Sequence, residues 1–500
     1  MASNTGPLLA LNPGPLPMTM SLAEYAALDA TGIAHLVRSK AVAPKELAAT
    51  ALAAHDKINP QIDAVVEIDP DRIGGLDEAS LGDGPFRGVP FLMKDVYGHE
   101  GGRKIEFGSR LCQGMVAERD SYYAMLVKAA GLNIIGRSAA PEYSLTGTTE
   151  TALYGSASNP WRKGYSTGGS SGGAQAAVTA GIVPMAHGSD IAGSIRIPAG
   201  WCGGVGLKPS RGRISFGPAL DENGFGLAMN FVQVKSVRDA ATMLDCLAKP
   251  QPGDPFLIPQ PSEPYRTLAL KPAPRLRIGW TVKPLLGIAV DPEIVEAVKR
   301  TAKALADMGH DVFEHDPEFD GVASFKRFAD MWFFGFDARF EGYAAKTGRK
   351  IGPDTLEPVT LKIYEHAKRL KAADFFAATA EVNSARRKLG AFFSKCDIWL
   401  SPMMPRVAEP WGNYNLGRTD VSMEDMVEKL YCVPCQYSVP HNLMGTPAIS
   451  LPLAQHSSGL PIGIQLAGPP ATEHLLLQLA TLLEQAMPWA GRVPPLHVGR

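Results

Sequence analysis

Three side chains in this sequence have the types and surroundings for acyl-transfer chemistry. Ser170 and Ser171 lie between two glycine pairs in STGGSSGGAQAA, Ser166 to Ala177. A hydroxyl flanked by glycines can be approached closely by another group, although Gly/Ser runs also serve as flexible linkers. Gly168 to Gly172 also spells G-x-S-x-G, the pattern of a strand-to-helix nucleophile elbow. That elbow needs an apolar strand directly before the serine, and NPWRKGYST does not read as one; Asp397 and His441 follow in the right order but carry no local signal. A second hydroxyl, Ser194, follows the small residues of GSDIAGS at the end of an apolar run. The backbone N–H groups of Ile191, Ala192, Gly193 and Ser194 would face the space that a carbonyl oxygen occupies. Asp190 and Arg196 flank that turn and could pair across it; a tight structural turn is the plainer reading. The third group is Lys94, which ends the apolar run GVPFLMKD. Burial disfavours an ammonium, so a desolvated lysine becomes a neutral amine able to act as a base; a surface pair with Asp95 is the alternative.

Apolar runs alternating with helical periodicity would position these groups. Leu22–Lys40 and Pro44–Lys57 are amphipathic, and Ala64–Ile68 and Gly88–Asp95 read as strands. SYYAMLVKAAG then LNIIG, and Ala174–Gly181 then IVPMAHGSD, read as helix followed by strand. The alternation continues through GVGLKPS, VRDAATMLDCLA, RLRIGW, PEIVEAVKRTAKALADMG and HDVFE, and returns in DIWLSP, PAISLP, PIGIQLAG and EHLLLQLATLLEQA. This is the pattern of an α/β layered sheet. Residues 325–393, with MWFFGFDARFEGY, read as a helical insertion over one face. With no internal repeat or linker, residues 21–500 are expected to form one domain behind a flexible lead at 1–20.

Composition narrows the function classes. A net charge of -1 with dispersed Lys and Arg offers no footprint for nucleic acid or an anionic membrane. No run approaches the ~20 apolar residues of a membrane span. The proline-containing start lacks the basic and apolar regions of a signal peptide, so the expected location is the cytoplasm. Cys432 and Cys435 form a C-x-x-C without a second pair, and the histidines are scattered, so neither a metal nor another cofactor is expected.

Lys94, GGSSGG (Gly168–Gly173) and Ser194 in GSDIAGSIRIPAGWCGGVGLKPSRGR together resemble the amidase signature family. The resemblance extends to NPW (Asn159–Trp161), SVRDAATMLD (Ser236–Asp245) and NLMGTPAISLP (Asn442–Pro452). It implies that family's fold: a large mixed, twisted β-sheet covered by helices on both faces. It also implies a Ser–cisSer–Lys triad of Ser194 as nucleophile, Ser170 as bridging serine after a cis peptide, and Lys94 as base. Gly169 and Ser171 would support the bridging serine, and Asp190 and Arg196 the oxyanion turn. The expected activity is hydrolysis of amide C–N bonds through an acyl-enzyme, on small hydrophobic, aryl or oligoamide substrates, with carbamates and aryl esters in range. The alternative is the glutaminase subunit of a tRNA-dependent amidotransferase.

Three positions depart from the family pattern. Ala192 replaces a usual glycine, Thr167 replaces a usual proline, and GRSAAPE (Gly136–Glu142) replaces GKTNTPE. The first two are shared with the branch containing 6-aminohexanoate cyclic-dimer hydrolases, whose insertion presents a cysteine to substrate; here that region reads FADMWFFGFDARF, without cysteine. Trp332, Phe333, Phe336 and Asn442 are the expected pocket residues, with ordinary core packing the alternative for the aromatic ones. The partner that the resemblance implies is a small-molecule amide, and homodimers are frequent among similar proteins.

Overall fold

The computed structural model describes residues 20–220 and 223–500. Of the lead expected over 1–20, all but Met20 lies outside the described residues. The apolar runs pair into one sheet of 11 strands. In chain order these are β1 (Val65–Ile68), β2 (Pro90–Lys94), β3 (Asn133–Ser138), β4 (Met185–Asp190), β5 (Val205–Lys208), β6 (Met229–Val234), β7 (Arg277–Trp280), β8 (Asp311–Glu314), β9 (Ile398–Pro402), β10 (Ala448–Gln455) and β11 (Pro461–Ala467). Across the sheet they run β1-β3-β2-β4-β6-β5-β10-β11-β9-β7-β8. The sheet is mixed: β2 is parallel to both β3 and β4, β7 is parallel to β8 and β9, and the other pairs are antiparallel.

Helices supply the crossovers that parallel neighbours require. Tyr122–Ala129 leads into β3, Gly172–Thr179 into β4 and Pro292–Asp307 into β8. Strands sandwiched between helix layers must be apolar on both faces, and every residue of β2, β4, β6 and β11 is buried. The edge strand β8 is more exposed, and its charged ends Asp311 and Glu314 discourage further pairing.

Local chemistry sets the boundaries. The amphipathic run Leu22–Lys40 is two helices, Leu22–Ala27 and Ala30–Arg38, because Asp29 caps the second by accepting the Gly32 N–H at 2.9 Å. The next helix begins at Pro44, as expected, and runs on to Ile62. The aromatic region between β8 and β9 forms four helices, Gly321–Phe333, Phe336–Thr347, Pro358–Ala367 and Ala372–Ala391. Their apolar faces build a second core, separate from the one around the sheet, and Ile191, Ala192 and Ile197 belong to it. The turn after β4 therefore lies where the two cores meet. Among the described residues no helix is long and apolar enough to cross a membrane.

Candidate active site

Strands β2 and β4 are parallel neighbours paired through Leu92 and Ala186, and beyond that pair their ends bring Lys94 and Ser189 together. Lys94 Nζ donates to Ser170 Oγ at 2.7 Å and to Ser189 Oγ at 3.0 Å. Lys94 and Ser170 are each 1% exposed. The suggested surface pair between Lys94 and Asp95 does not form: Asp95 is buried and accepts from Arg137 Nη1 at 2.5 Å and from the Glu106 and Gly108 N–H groups. Burial therefore holds the Lys94 amine well below the ordinary lysine range, against the pull of the Asp190 carboxylate in the other direction.

The glycine pair before Ser170 has a packing reason. Gly169 and Ser170 are joined by a cis peptide, and a Cβ on Gly169 would lie 2.3 Å from the Thr148 carbonyl oxygen. Ser171 joins this loop to β4 and to the next turn. Its hydroxyl accepts the Ser189 N–H at 3.2 Å and its own N–H donates to the Ser194 carbonyl at 3.1 Å. The elbow alternative is not supported, since Asp397 pairs with Arg277 and His441 packs edge-on against Trp399.

An ion pair with no solvent exposure organises the turn at 190–196. Asp190 accepts from Arg196 Nε and Nη2 at 2.9 Å each, from Asn442 Nδ2 at 2.9 Å, and from the N–H groups of Gly193 and Ile195 at 2.8 and 3.2 Å. Arg196 also donates to Asn442 Oδ1, Gln465 Oε1 and the Ser438 carbonyl at 2.6, 2.8 and 3.1 Å, which occupies all five guanidinium donors. Burial alone would raise the Asp190 carboxyl, but the Arg196 charge and these hydrogen bonds outweigh it and keep Asp190 ionised.

This clamp corrects two expectations. Gly193 is expected in the oxyanion hole, but its N–H is taken by Asp190. The N–H groups of Ile191, Ala192 and Ser194 have no such partner among the described residues. Asn442 is expected in the pocket wall, but it is 1% exposed, its Oδ1 holds Arg196, and its Nδ2 donates to Asp190 and to the Leu227 carbonyl. Nothing is left for a substrate. Ala192 does not adopt a positive φ, so alanine fits there; Gly193 does, at 123°, and a Cβ on it would lie 2.4 Å from Ser438 Oγ.

Of the aromatic candidates, Trp332 reaches the turn. A Cβ on Gly224 would lie 2.4 Å from Ile191 Cδ1 and 3.9 Å from Trp332 Cδ1, so both side chains line the same spot. Phe333 and Phe336 continue the ring series from Trp332, with centroids 5.4 Å from Trp332 to Phe333 and 5.7 Å from Phe333 to Phe336. Phe333 has no exposed surface and Phe336 carries the Arg339 guanidinium on its face, so both serve packing. Sequence reasoning missed Ser189 and Gln465. The period of a strand could have flagged the first, and a lone amide in the apolar run PIGIQLAG the second. Among the described residues no group of three or more His, Cys, Asp or Glu side chains could hold a metal ion.

The chain is similar to known proteins along nearly its whole length. A family model described as Amidase matches residues 46–477. The 6-aminohexanoate-cyclic-dimer hydrolase of Paenarthrobacter ureafaciens is 36% identical over 485 residues, covering 94% of this chain and 96% of that protein. An acylamidase of Rhodococcus erythropolis is 30% identical over 475 residues, covering 93% of this chain and 97% of its own. A solved structure of 6-aminohexanoate cyclic dimer hydrolase superposes with a TM-score of 0.88 at 34% identity, covering 94% of this chain and 99% of that one.

The clamp makes a prediction for Asn442. Asn442→Ala leaves Asp190 and Arg196 short of partners and is expected to lower the unfolding free energy by about 2–5 kcal/mol, read from denaturant midpoints. Unchanged stability with an altered substrate preference would return Asn442 to the pocket wall.

Proposed function

Because the chain belongs to the amidase family, the enzymes of the amidase signature that hydrolyse amide C–N bonds, we propose that Ser194, Ser170 and Lys94 carry out that hydrolysis as a proton relay. The observation that carries this reading is the 2.7 Å contact between Lys94 Nζ and Ser170 Oγ in a buried space where desolvation disfavours the charged amine. The Lys94 lone pair takes the Ser170 hydroxyl proton as Ser170 takes the proton of Ser194. The freed Ser194 oxygen attacks the amide carbon, and the carbonyl π electrons move onto oxygen. The N–H groups of Ile191, Ala192 and Ser194 face that developing charge; one such donor contributes about 3–4 kcal/mol in comparable sites. Collapse of the tetrahedral adduct expels the amine, which Ser170 protonates with the proton held by Lys94. Water, deprotonated along the same path, then releases the acid from Ser194.

The Asp190–Arg196 pair positions the oxyanion turn without touching the reacting atoms. Ile191 and Trp332 make the neighbouring wall apolar, and two relatives are named for a cyclic 6-aminohexanoate dimer and for acylamides. The reading for this chain is therefore an amidase of small hydrophobic, aryl or oligoamide substrates, linear or cyclic.

Two outcomes test it. Ser194→Ala is expected to remain folded, lose turnover and lose labelling by a sulfonyl fluoride, while wild type alone cleaves members of a panel of anilides, aliphatic amides and 6-aminohexanoate oligomers. A Ser194→Ala protein that keeps its rate would overturn the nucleophile, and release of ammonia only with added partner subunits would make the chain a glutaminase subunit. The pH profile has a fixed sign: the base works uncharged, so kcat/KM is expected to fall on the acid side as Lys94 gains a proton and to level off above that step. A flat profile from about pH 5 to 9 would contradict lysine as the base.

A further inference from the structure

Strand β4 carries a second polar side chain on the face that holds Lys94. His187 is two residues before Ser189, so the two side chains project to the same side. Past the Leu92–Ala186 pair the β2–β4 ladder ends, and the Lys94 backbone N–H donates instead to His187 Nδ1 at 3.3 Å. Because Nδ1 accepts, the ring proton is on Nε2, which donates to Asn230 Oδ1 at 3.3 Å; Asn230 is the β6 residue paired with Ser189. The ring is fixed from its other sides as well. Tyr123 lies over it with centroids 4.4 Å apart, and Gly98, at φ 100°, leaves room that a Cβ 2.5 Å from Cε1 would close. Burial and the neighbouring Lys94 keep the imidazole uncharged, with its pKa down at about 3.

We propose that His187 is a positioning residue for the proton relay: its uncharged imidazole fixes the end of β2, and with it the Lys94 amine, without supplying a negative charge that would keep that amine protonated. The inference rests on reading Lys94 as the base. An apolar residue at 187 would leave a buried N–H unpaired, and an aspartate would pair it but place an anion beside the lysine. The titratable groups around the pair are Lys94 on β2, His99 after it, Tyr123 on the helix above and Asp190 at the end of β4. Asp190 is already neutralised by Arg196, so a second carboxylate would be the uncompensated one.

The experiment is the pH dependence of kcat and KM on one amide for wild type, Lys94→Ala and three variants of His187, each checked for folding by thermal melting. His187→Asn restores an acceptor near the Nδ1 position and is expected to stay within about tenfold of wild type with an unmoved acid limb, whereas His187→Leu loses about 100-fold, mainly in kcat. His187→Asp keeps the acceptor and is expected to move the acid limb up by about one pH unit or more, recovering rate at high pH. Folded Leu and Asp variants with wild-type profiles would overturn the inference while Lys94→Ala stays inactive. If those two variants do not fold, the Asn variant decides: a rate within about tenfold supports the inference, and a folded protein that has lost about 100-fold overturns it. A Lys94→Ala enzyme with wild-type rate would bring down the relay itself.

Discussion

A lysine amine held away from water, with hydroxyls rather than carboxylates in hydrogen-bonding reach, is the constraint on which this structure depends. Lys94 forms no ion pair among the described residues, and its near neighbours, Ser170, Ser189 and His187, are all uncharged. Among the described residues Asp190 is the one carboxylate whose field reaches it, and Arg196 neutralises that carboxylate in a pair with no solvent exposure. Burial thus outweighs the Asp190 field and lowers the Lys94 pKa, which favours the neutral amine that the proposed relay needs. A carboxylate beside Lys94 would have reversed the outcome, so the polar groups chosen for this space matter as much as its dryness.

The rest of the fold can be read as support for that space and the turn next to it. Parallel β2 and β4 bring Lys94 to Ser189, and the loop through Gly169 and Ser171 brings Ser170 to both. The Asp190–Arg196 clamp draws on Asn442, Ser438 and Gln465 from the last part of the chain, so one network ties a turn at 190–196 to residues more than 200 positions away. Such a network rigidifies only when every member is satisfied, and here each guanidinium donor is. In the second core Trp332, from the helices between β8 and β9, lies beside Ile191 of the same turn, so the apolar wall and the proposed oxyanion donors share one scaffold.

Much of this was legible in the sequence because the chemistry lies in short, local patterns. Glycines beside Ser170, small residues before Ser194 and a lysine ending an apolar run each carry their own signal, and the strand–helix alternation predicts the layered sheet that the chain forms. What escaped depends on which partner each polar group takes in the fold. Asn442 reads as a polar residue near a pocket until Arg196 and Asp190 are seen to engage both ends of its amide. Gly193 reads as an oxyanion donor until its N–H is seen to face the Asp190 carboxylate. The helix Arg196–Cys202 contains a proline and a glycine, poor helix formers, and exists because the surrounding core buries all of it. The break at Asp29 was readable as a cap signal inside an amphipathic run, which periodicity alone passes over.

The claim that everything else rests on is the charge state of one nitrogen. Titration of the protein carrying nitrogen-15 at its lysine side chains, with the Lys94 resonance assigned through a Lys94→Arg variant, reads that charge directly. The account predicts that Lys94 gives up its proton well before the surface lysines as pH rises. A Lys94 resonance that titrates together with the surface lysines would contradict it.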